Sequence, residues 1–341
     1  MAGTTVQRAI EELAHQGLLS RMQGCGTFVT TAATSRKIGL LVPETATSEF
    51  FTRIVQEVSR LCQLEGYTLL FVEISTHDIV RRAAQAERIA HDLVLQGVSG
   101  VIFSPVEHIP ESEAVNRRIL GTFDSAKVPV ILCDYDFLPY PQRSTYDVVG
   151  VDNFEAGAMI YEYLYARGAR NIHFLTLPHT ARSHQNRLRG VIAACGQHRG
   201  KWMACNELIV DPYDLVSVRR HLRKSCPDAI ICGNDNLAVM LDQTLAKLGY
   251  RVPQDVLVTG FNDVSISWLS TPMVTTMRQP CADIGGVAFR RLLARMACPT
   301  LPTTTLLLPA TLVERESTLI TKTNQKGKMR NDKRSSSWKR E

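Results

Sequence analysis

An α/β fold of two doubly wound parallel-sheet lobes is predicted by three features of the sequence. Short β-branched runs alternate with amphipathic helical stretches after residue 37, the pattern of parallel strands covered by helices on both faces. The alternation passes through nine strand-like runs, more than one such sheet needs. A loop rich in Pro, Tyr and charge, 135–147, falls in the middle and divides the array.

The strand-like runs are 38–42, 68–72, 100–104, 128–133, 148–151, 172–175, 207–210, 229–232 and 256–259. Between the first two, Phe50, Phe51, Ile54, Val55, Val58, Leu61 and Cys62 recur at helical spacing and stop at Gly66. Comparable helices are predicted at 79–95, 112–125, 153–167, 183–196, 215–224, 235–247 and 281–296. The first lobe is assigned 38–146 and 277–303, the second 147–276 and 304–320. In open parallel sheets a ligand lies beyond the carboxyl ends of the strands, so two facing lobes form a cleft from their strand-to-helix loops.

Composition narrows the function class. Of 341 residues, 45% are hydrophobic and 21% charged, enough for large cores. There is no apolar run long enough for a membrane span, and Arg8, Glu11, Glu12, His15 and Arg21 break up the first thirty residues. The reading is a cytoplasmic protein without a membrane partner. Nine cysteines are scattered with no Cys-x-x-Cys pair, so they read as reduced thiols rather than a zinc site or disulfide framework. His179 and His184 are too isolated to suggest a metal, and no cofactor is expected. The net charge of +6 resides in the tail 322–341, with eight basic and two acidic residues. That tail, 321–341 as a segment, has little to bury and reads as disordered; it could add non-specific attraction to DNA or simply be solvated.

The stretches GVSGVIFSP, VPVILCD, VVGVDNFEAG, RGARNIHFL, RLRG, NDNLAVM and VTGFNDVSISWLSTPMVTTMRQP resemble, in order and spacing, the effector-binding domain of the LacI/GalR repressor family. That domain is related to periplasmic sugar-binding proteins, so the resemblance implies a periplasmic-binding-protein-like fold over about 37–319. It implies ligand contacts by Asp134, by Ser183 and Arg187 before Gly190, by Asn234 and by Asn262. A carboxylate accepts from neighbouring hydroxyls, a guanidinium donates in a fork and an amide does both, which suits a sugar or polyol without a metal. Asn262 stands where the family often has Asp, and the adjacent Asp263 compensates only if its loop is rotated. Structural readings compete at several of these positions. Asn234 and Asp235 precede an apolar helix and would cap it, as Asp152 and Asn153 would cap another. Asp134 could simply end a strand, and Arg187 lies beside Arg182 and Arg189 on a helix. Phe50, Tyr135, Tyr213 and Trp268 lie in or near cleft loops, where they would stack on a sugar face or pack in the core.

Residues 1–31, joined to the lobes by a linker at 32–37, resemble the last half of a GntR-type winged helix-turn-helix. Thr5, Val6, the helix through Leu13, Gly17, Leu18 and the wing residues Gly24, Gly26, Thr27, Phe28 and Val29 match. Ala2, Gly3 and Gln7 depart from the family's Ser, Arg and Arg, and Cys25 stands where a basic wing-tip residue is common. The resemblance implies DNA contacts by Thr4, Thr5, Gln7, Arg8, Arg21, Gly24 and Gly26. The two helices that precede the recognition helix in that family are missing from the sequence. The expectation is a gene start placed too late, or else a loss of specific DNA binding.

These readings converge on a sugar-responsive transcriptional regulator, a repressor in type, working as a homodimer on operator DNA. The alternative is a transport-type sugar-binding protein without DNA binding. An enzyme is disfavoured, since no Gly-x-Gly-x-x-Gly after the first strand, Walker loop, Gly-x-Ser-x-Gly or His-Glu-x-x-His occurs.

Overall fold

The computed structural model describes residues 36–43, 49–74, 79–107, 109, 111–178, 180–198 and 206–319, with backbone alone at 79 and 80 and in two short strands, β1 (Leu19–Met22) and β2 (Gly26–Val29). Thr4, Thr5, Gln7, Arg8, Gly24 and the tail 321–341 lie outside the described residues, as does the Arg21 side chain.

The first lobe is built on six parallel strands: β3 (Arg36–Pro43), β4 (Tyr67–Ile74), β5 (Gly100–Phe103), β6 (Val130–Asp134), β7 (Asp147–Val151) and β13 (Thr305–Leu308), in the order β13-β7-β6-β5-β3-β4. β5, β6 and β7 are buried throughout, as continuous apolar strands covered on both faces should be. Helices α1 (Glu49–Leu64) and α9 (Cys281–Ala297) cover one face, with Ile54, Val58, Ile284 and Phe289 in the core beneath them. Helices α2 (Ile79–Leu95) and α3 (Ser112–Ser125) cover the other, with Leu93, Ile119 and Phe123 against Phe103 and Leu132.

The second lobe has four parallel strands, β8 (Ile172–Thr176), β9 (Glu207–Ile209), β10 (Ala229–Cys232) and β11 (Leu257–Thr259), in the order β11-β10-β8-β9. Helices α4 (Asn153–Ala166) and α5 (Arg182–Gln197) pack on one face, α6 (Leu215–Ser225) and α7 (Asp235–Lys247) on the other. A short helix α8 (Ile266–Leu269) and an antiparallel pair, β12 (Thr276–Arg278) with β14 (Thr311–Val313), complete the crossover region. Helices α4 and α5 touch backbone to backbone. A Cβ at Gly157 would lie 2.0 Å from the Arg187 carbonyl oxygen, and one at Gly190 would lie 1.9 Å from that of Phe154.

The lobe boundary differs from the sequence reading. Residues 147–151 and 304–308 were expected in the second lobe, yet β7 and β13 are zipped into the first sheet. The anchor is Asp147, whose carboxylate accepts from Arg291 and Arg295 of α9 at 2.9 Å each and from the Thr304 amide at 2.8 Å. The loop at 135–146 therefore returns the chain to the same sheet, held by Asp136, which accepts from the Leu138 and Ser144 amides. The chain crosses between lobes after β7, near β12 and between β13 and β14.

Cys62, Cys133, Cys195, Cys226, Cys232, Cys281 and Cys298 are free thiols. Among the described residues no helix is long and apolar enough to cross a membrane.

Candidate functional site

The carboxyl ends of the two sheets face one cavity of about 380 Å³ between the lobes. Of the residues expected to contact ligand, Phe50, Asp134, Ser183, Arg187, Asn234 and Asn262 all line it. They come from both lobes: Phe50 from the start of α1 and Asp134 from the end of β6, the other four from the second lobe's helix starts and the loop after β11.

Asp134 is only 7% exposed, and its Oδ1 has no hydrogen-bond partner. Its φ of 81° and that of Asn262, 112°, lie in the left-handed region that side chains avoid, so both cleft residues are held against a backbone cost. Burial pushes the Asp134 carboxyl up to about 6 despite the opposing pull of Arg187. Arg187 is 4% exposed and oriented at two points, donating from Nε to Asn153 Oδ1 at 2.8 Å and from Nη1 to the Gly233 carbonyl at 2.6 Å. Burial lowers its guanidinium to about 10, while Asp134, Glu107 and Asp235 favour the charged form, so it stays charged at neutral pH.

Asn234 combines the cap weighed for it with a place on the cavity wall. Its Oδ1 caps α7 by accepting from the Leu237 amide at 2.9 Å, and its side chain still lines the cavity. Asp235 is structural: fully buried, it accepts from Thr276 Oγ1 at 2.6 Å and the Val264 amide at 2.9 Å, tying α7 to the crossover. Asp152 caps α4 through the Glu155 amide, whereas Asn153 positions Arg187. Tyr135 is buried in the core, its hydroxyl donating to the Pro105 carbonyl at 2.7 Å.

Three expected contacts are not brought to the cavity. Asp263 turns away to pair with Arg278 at 2.6 Å and Arg315 at 2.5 Å, so it does not replace a charge at Asn262. Tyr213 follows β9, the edge strand farthest from the crossover, and is 49% exposed with its hydroxyl on Gln243. Trp268 is 49% exposed because buried Ser267, bonded to the Val264 carbonyl, anchors α8 and turns its neighbour outward.

The cavity also draws on residues the sequence reading did not single out, among them Glu49, Phe51, Glu107, His184 and Gln279. Glu49 reaches across the cleft mouth to accept from the Ser265 amide at 3.0 Å and from its hydroxyl. On the other side Arg182 Nε donates to the Phe137 carbonyl at 3.0 Å. Glu107 lies in the loop after β5, the same kind of position as the expected contacts, and that topology was its one available signal. The wall thus combines buried acceptors, a fixed cation, amides and two aromatic rings, a set that can hold a polyhydroxylated molecule. Among the described residues no three His, Cys, Asp or Glu side chains are placed to hold a metal ion.

Residues 161–318 match the family model described as periplasmic binding protein-like domain. The matched stretch runs from within α4 through the second lobe to just beyond β14. The chain is 27% identical over 288 residues to the HTH-type transcriptional repressor PurR of Pectobacterium carotovorum subsp. carotovorum (strain PC1), covering 83% of this chain and 80% of that protein. It is 28% identical over 292 residues to the ribose operon repressor of Escherichia coli (strain K12), covering 82% and 81%. A solved transcriptional regulator CelR–cellobiose complex shares the fold with a TM-score of 0.71 at 23% identity, covering 92% of this chain and 89% of that one. These relatives are transcriptional repressors, not enzymes.

Proposed function

We propose that this chain is a ligand-responsive transcriptional regulator whose interlobe cavity binds a small sugar or polyol and couples it to operator DNA. One observation carries the reading: Phe50, Asp134, Ser183, Arg187, Asn234 and Asn262, from both lobes, converge on a single cavity. A ligand bridging the lobes stabilises one relative orientation, and that rigid-body bias is what a paired DNA-binding head senses. The repressor homologues favour this over a sugar carrier without DNA binding.

The head is read as GntR-type, with DNA contacts by Thr4, Thr5, Gln7, Arg8, Arg21, Gly24 and Gly26. The antiparallel pairing of β1 with β2, Leu19 opposite Val29, supports a two-stranded wing. A homodimer follows from the two-fold symmetry of operators read by paired heads.

A thermal-shift screen of sugars, polyols, nucleobases and acidic metabolites tests the ligand class, followed by mobility shifts on the chain's own upstream DNA with and without the hit. Stabilisation by a polyol together with a change in DNA retention is the expected outcome. Stabilisation only by a nucleobase or an acidic metabolite refutes the sugar reading.

A further inference from the structure

The cavity wall gathers buried acceptors that no donor of the wall satisfies. Among the described residues, buried side-chain atoms without a hydrogen-bond partner include Glu107 Oε2, Asp134 Oδ1 and Gln279 Oε1. All three residues line the cavity, and all three atoms are oxygens, acceptors in the amide and in each carboxylate once it is ionised. Gln279 takes its orientation from donating Nε2 to Asn262 Oδ1 at 2.6 Å, but the two carboxylates are acceptors in any orientation when ionised. Buried acceptors left without donors each cost free energy that a donor-bearing ligand returns. In the unliganded site Arg187 donates from Nε and Nη1 to Asn153 and Gly233, and neither orphaned carboxylate oxygen accepts from it. The other two acids of the wall are engaged, Glu49 with Ser265 and Asp235 with Thr276 and Val264. Glu107 also borders a smaller adjoining cavity of about 160 Å³, which leaves room beside it for a substituent.

We propose that the effector is an amino polyol, its protonated amino group received by Glu107 and Asp134 while its hydroxyls meet the amides and Arg187. The inference rests on the polyol reading of the cavity. It makes Glu107 the residue that separates amino sugars from their neutral parents.

Proton linkage gives the inference a sign. Burial pushes the Glu107 carboxyl up to about 8, and the Asp134 charge adds to the rise. Tyr135 and the α5 residues Arg187 and Arg182 act in the opposite direction. Glu49, Arg82 and His184 lie elsewhere on the same wall. At neutral pH the ligand-free Glu107 therefore holds a proton, and an ammonium ion must displace it to form an ion pair. Affinity for an amine rises with pH below about 8, because binding releases that proton. A neutral polyol releases none from Glu107.

The experiment is calorimetric titration of the full chain with D-glucosamine, D-galactosamine and glucamine against D-glucose, D-galactose and glucitol, at about pH 6 and about pH 7.5. An amine is expected to bind at least tenfold tighter than its neutral parent, with affinity rising several-fold over that interval. Glu107→Gln keeps the shape and should bring the pair within about threefold of each other. The melting temperature of the unliganded variant reports its folding, and the pH series on the parent chain needs no variant. Neutral sugars that bind as well as the amines, a panel in which no amine binds, or a preference that survives Glu107→Gln each overturn the inference. Neutral-sugar binding alone leaves the polyol reading standing, whereas binding of only a nucleobase or an acidic metabolite removes both.

Discussion

The Arg187 guanidinium lies over the Phe261 ring, its Cζ 3.5 Å from the ring centroid. One residue thus gathers a ring, an Asn153 oxygen and the Gly233 carbonyl around a buried charge, and points its remaining edge at the cavity. A planar cation over an aromatic face is electrostatically favourable and fixes the plane of the fork. The ring comes from the loop after β11 and the charge from α5, so Arg187 is preoriented by the second lobe alone.

Arg187→Ala is expected to abolish ligand-induced stabilisation. Losing a charge-assisted donor from a desolvated site costs about 1.5 to 3 kcal/mol, a factor of ten or more in affinity. Arg187→Lys should recover little, because an ammonium cannot donate in a fork or stack flat. Calorimetry with the best polyol measures both, and parental affinity in either variant counts against this role.

Gly190→Ala should destabilise the second lobe and weaken binding together. The new Cβ would need to occupy space 1.9 Å from the Phe154 carbonyl oxygen, so α5 must move off α4. Overpacking of this kind costs about 1 to 3 kcal/mol. Arg187 lies one turn earlier on α5 and moves with it. Denaturant unfolding and ligand titration of the same variant provide the check, and Gly196→Ala is the control, since its Cβ would meet nothing within 4 Å.

The sequence made most of the lobes legible because their strands are continuous apolar runs and their helices carry one apolar face, as in β6 and α1. It missed β12, β13 and β14, which are three or four residues long and take their structure from distant partners, β12 and β14 from each other and β13 from β7. The site was legible where a residue ends a strand or opens a helix, as Asp134 and Asn234 do. Asp263 could not be placed that way, because its direction is decided by Arg315, more than fifty residues later in the chain. Asn153 looked like a cap because its partner Arg187 is visible only once α4 and α5 pack.

Asp263→Asn is expected to loosen the crossover. Burial opposes ionisation of Asp263, yet Arg315 and Arg278 outweigh it and hold the carboxyl below its ordinary value. The Arg315 side chain is 12% exposed, while that of Arg278 is 54% exposed, so the first pairing carries the effect. Removing one partner of a buried ion pair leaves the other uncompensated, at a cost of about 3 kcal/mol. Chemical unfolding at neutral pH reads this directly, and a loss below about 1 kcal/mol would show that solvent already screens the pair.

The pair of buried His173 and half-buried His221, joined Nδ1 to Nε2 at 2.7 Å, should make the second lobe acid-sensitive before ordinary carboxylates titrate. Burial first, and the neighbouring His221 charge second, depress His173 to about 4, and burial also lowers His221. The unfolded chain takes up these protons near the ordinary histidine value of about 6.5, whereas the folded chain refuses the His173 proton until about pH 4. Stability from this pair is therefore complete above about pH 6.5 and declines as pH falls toward 4, by at most about 1.4 kcal/mol per pH unit for each proton excluded. Asp134, Asp235 and Glu107 have raised values and change stability in the opposite sense, so the parental curve alone does not isolate the histidines. The difference between the parent and His221→Gln does, because glutamine keeps a hydrogen-bonding partner for His173 and removes one titrating ring. Urea unfolding at intervals from about pH 7.5 to about pH 5 should show a shallower acid decline in the variant. Parallel curves over that range would mean that the pair takes up protons in the folded lobe as readily as in the unfolded chain.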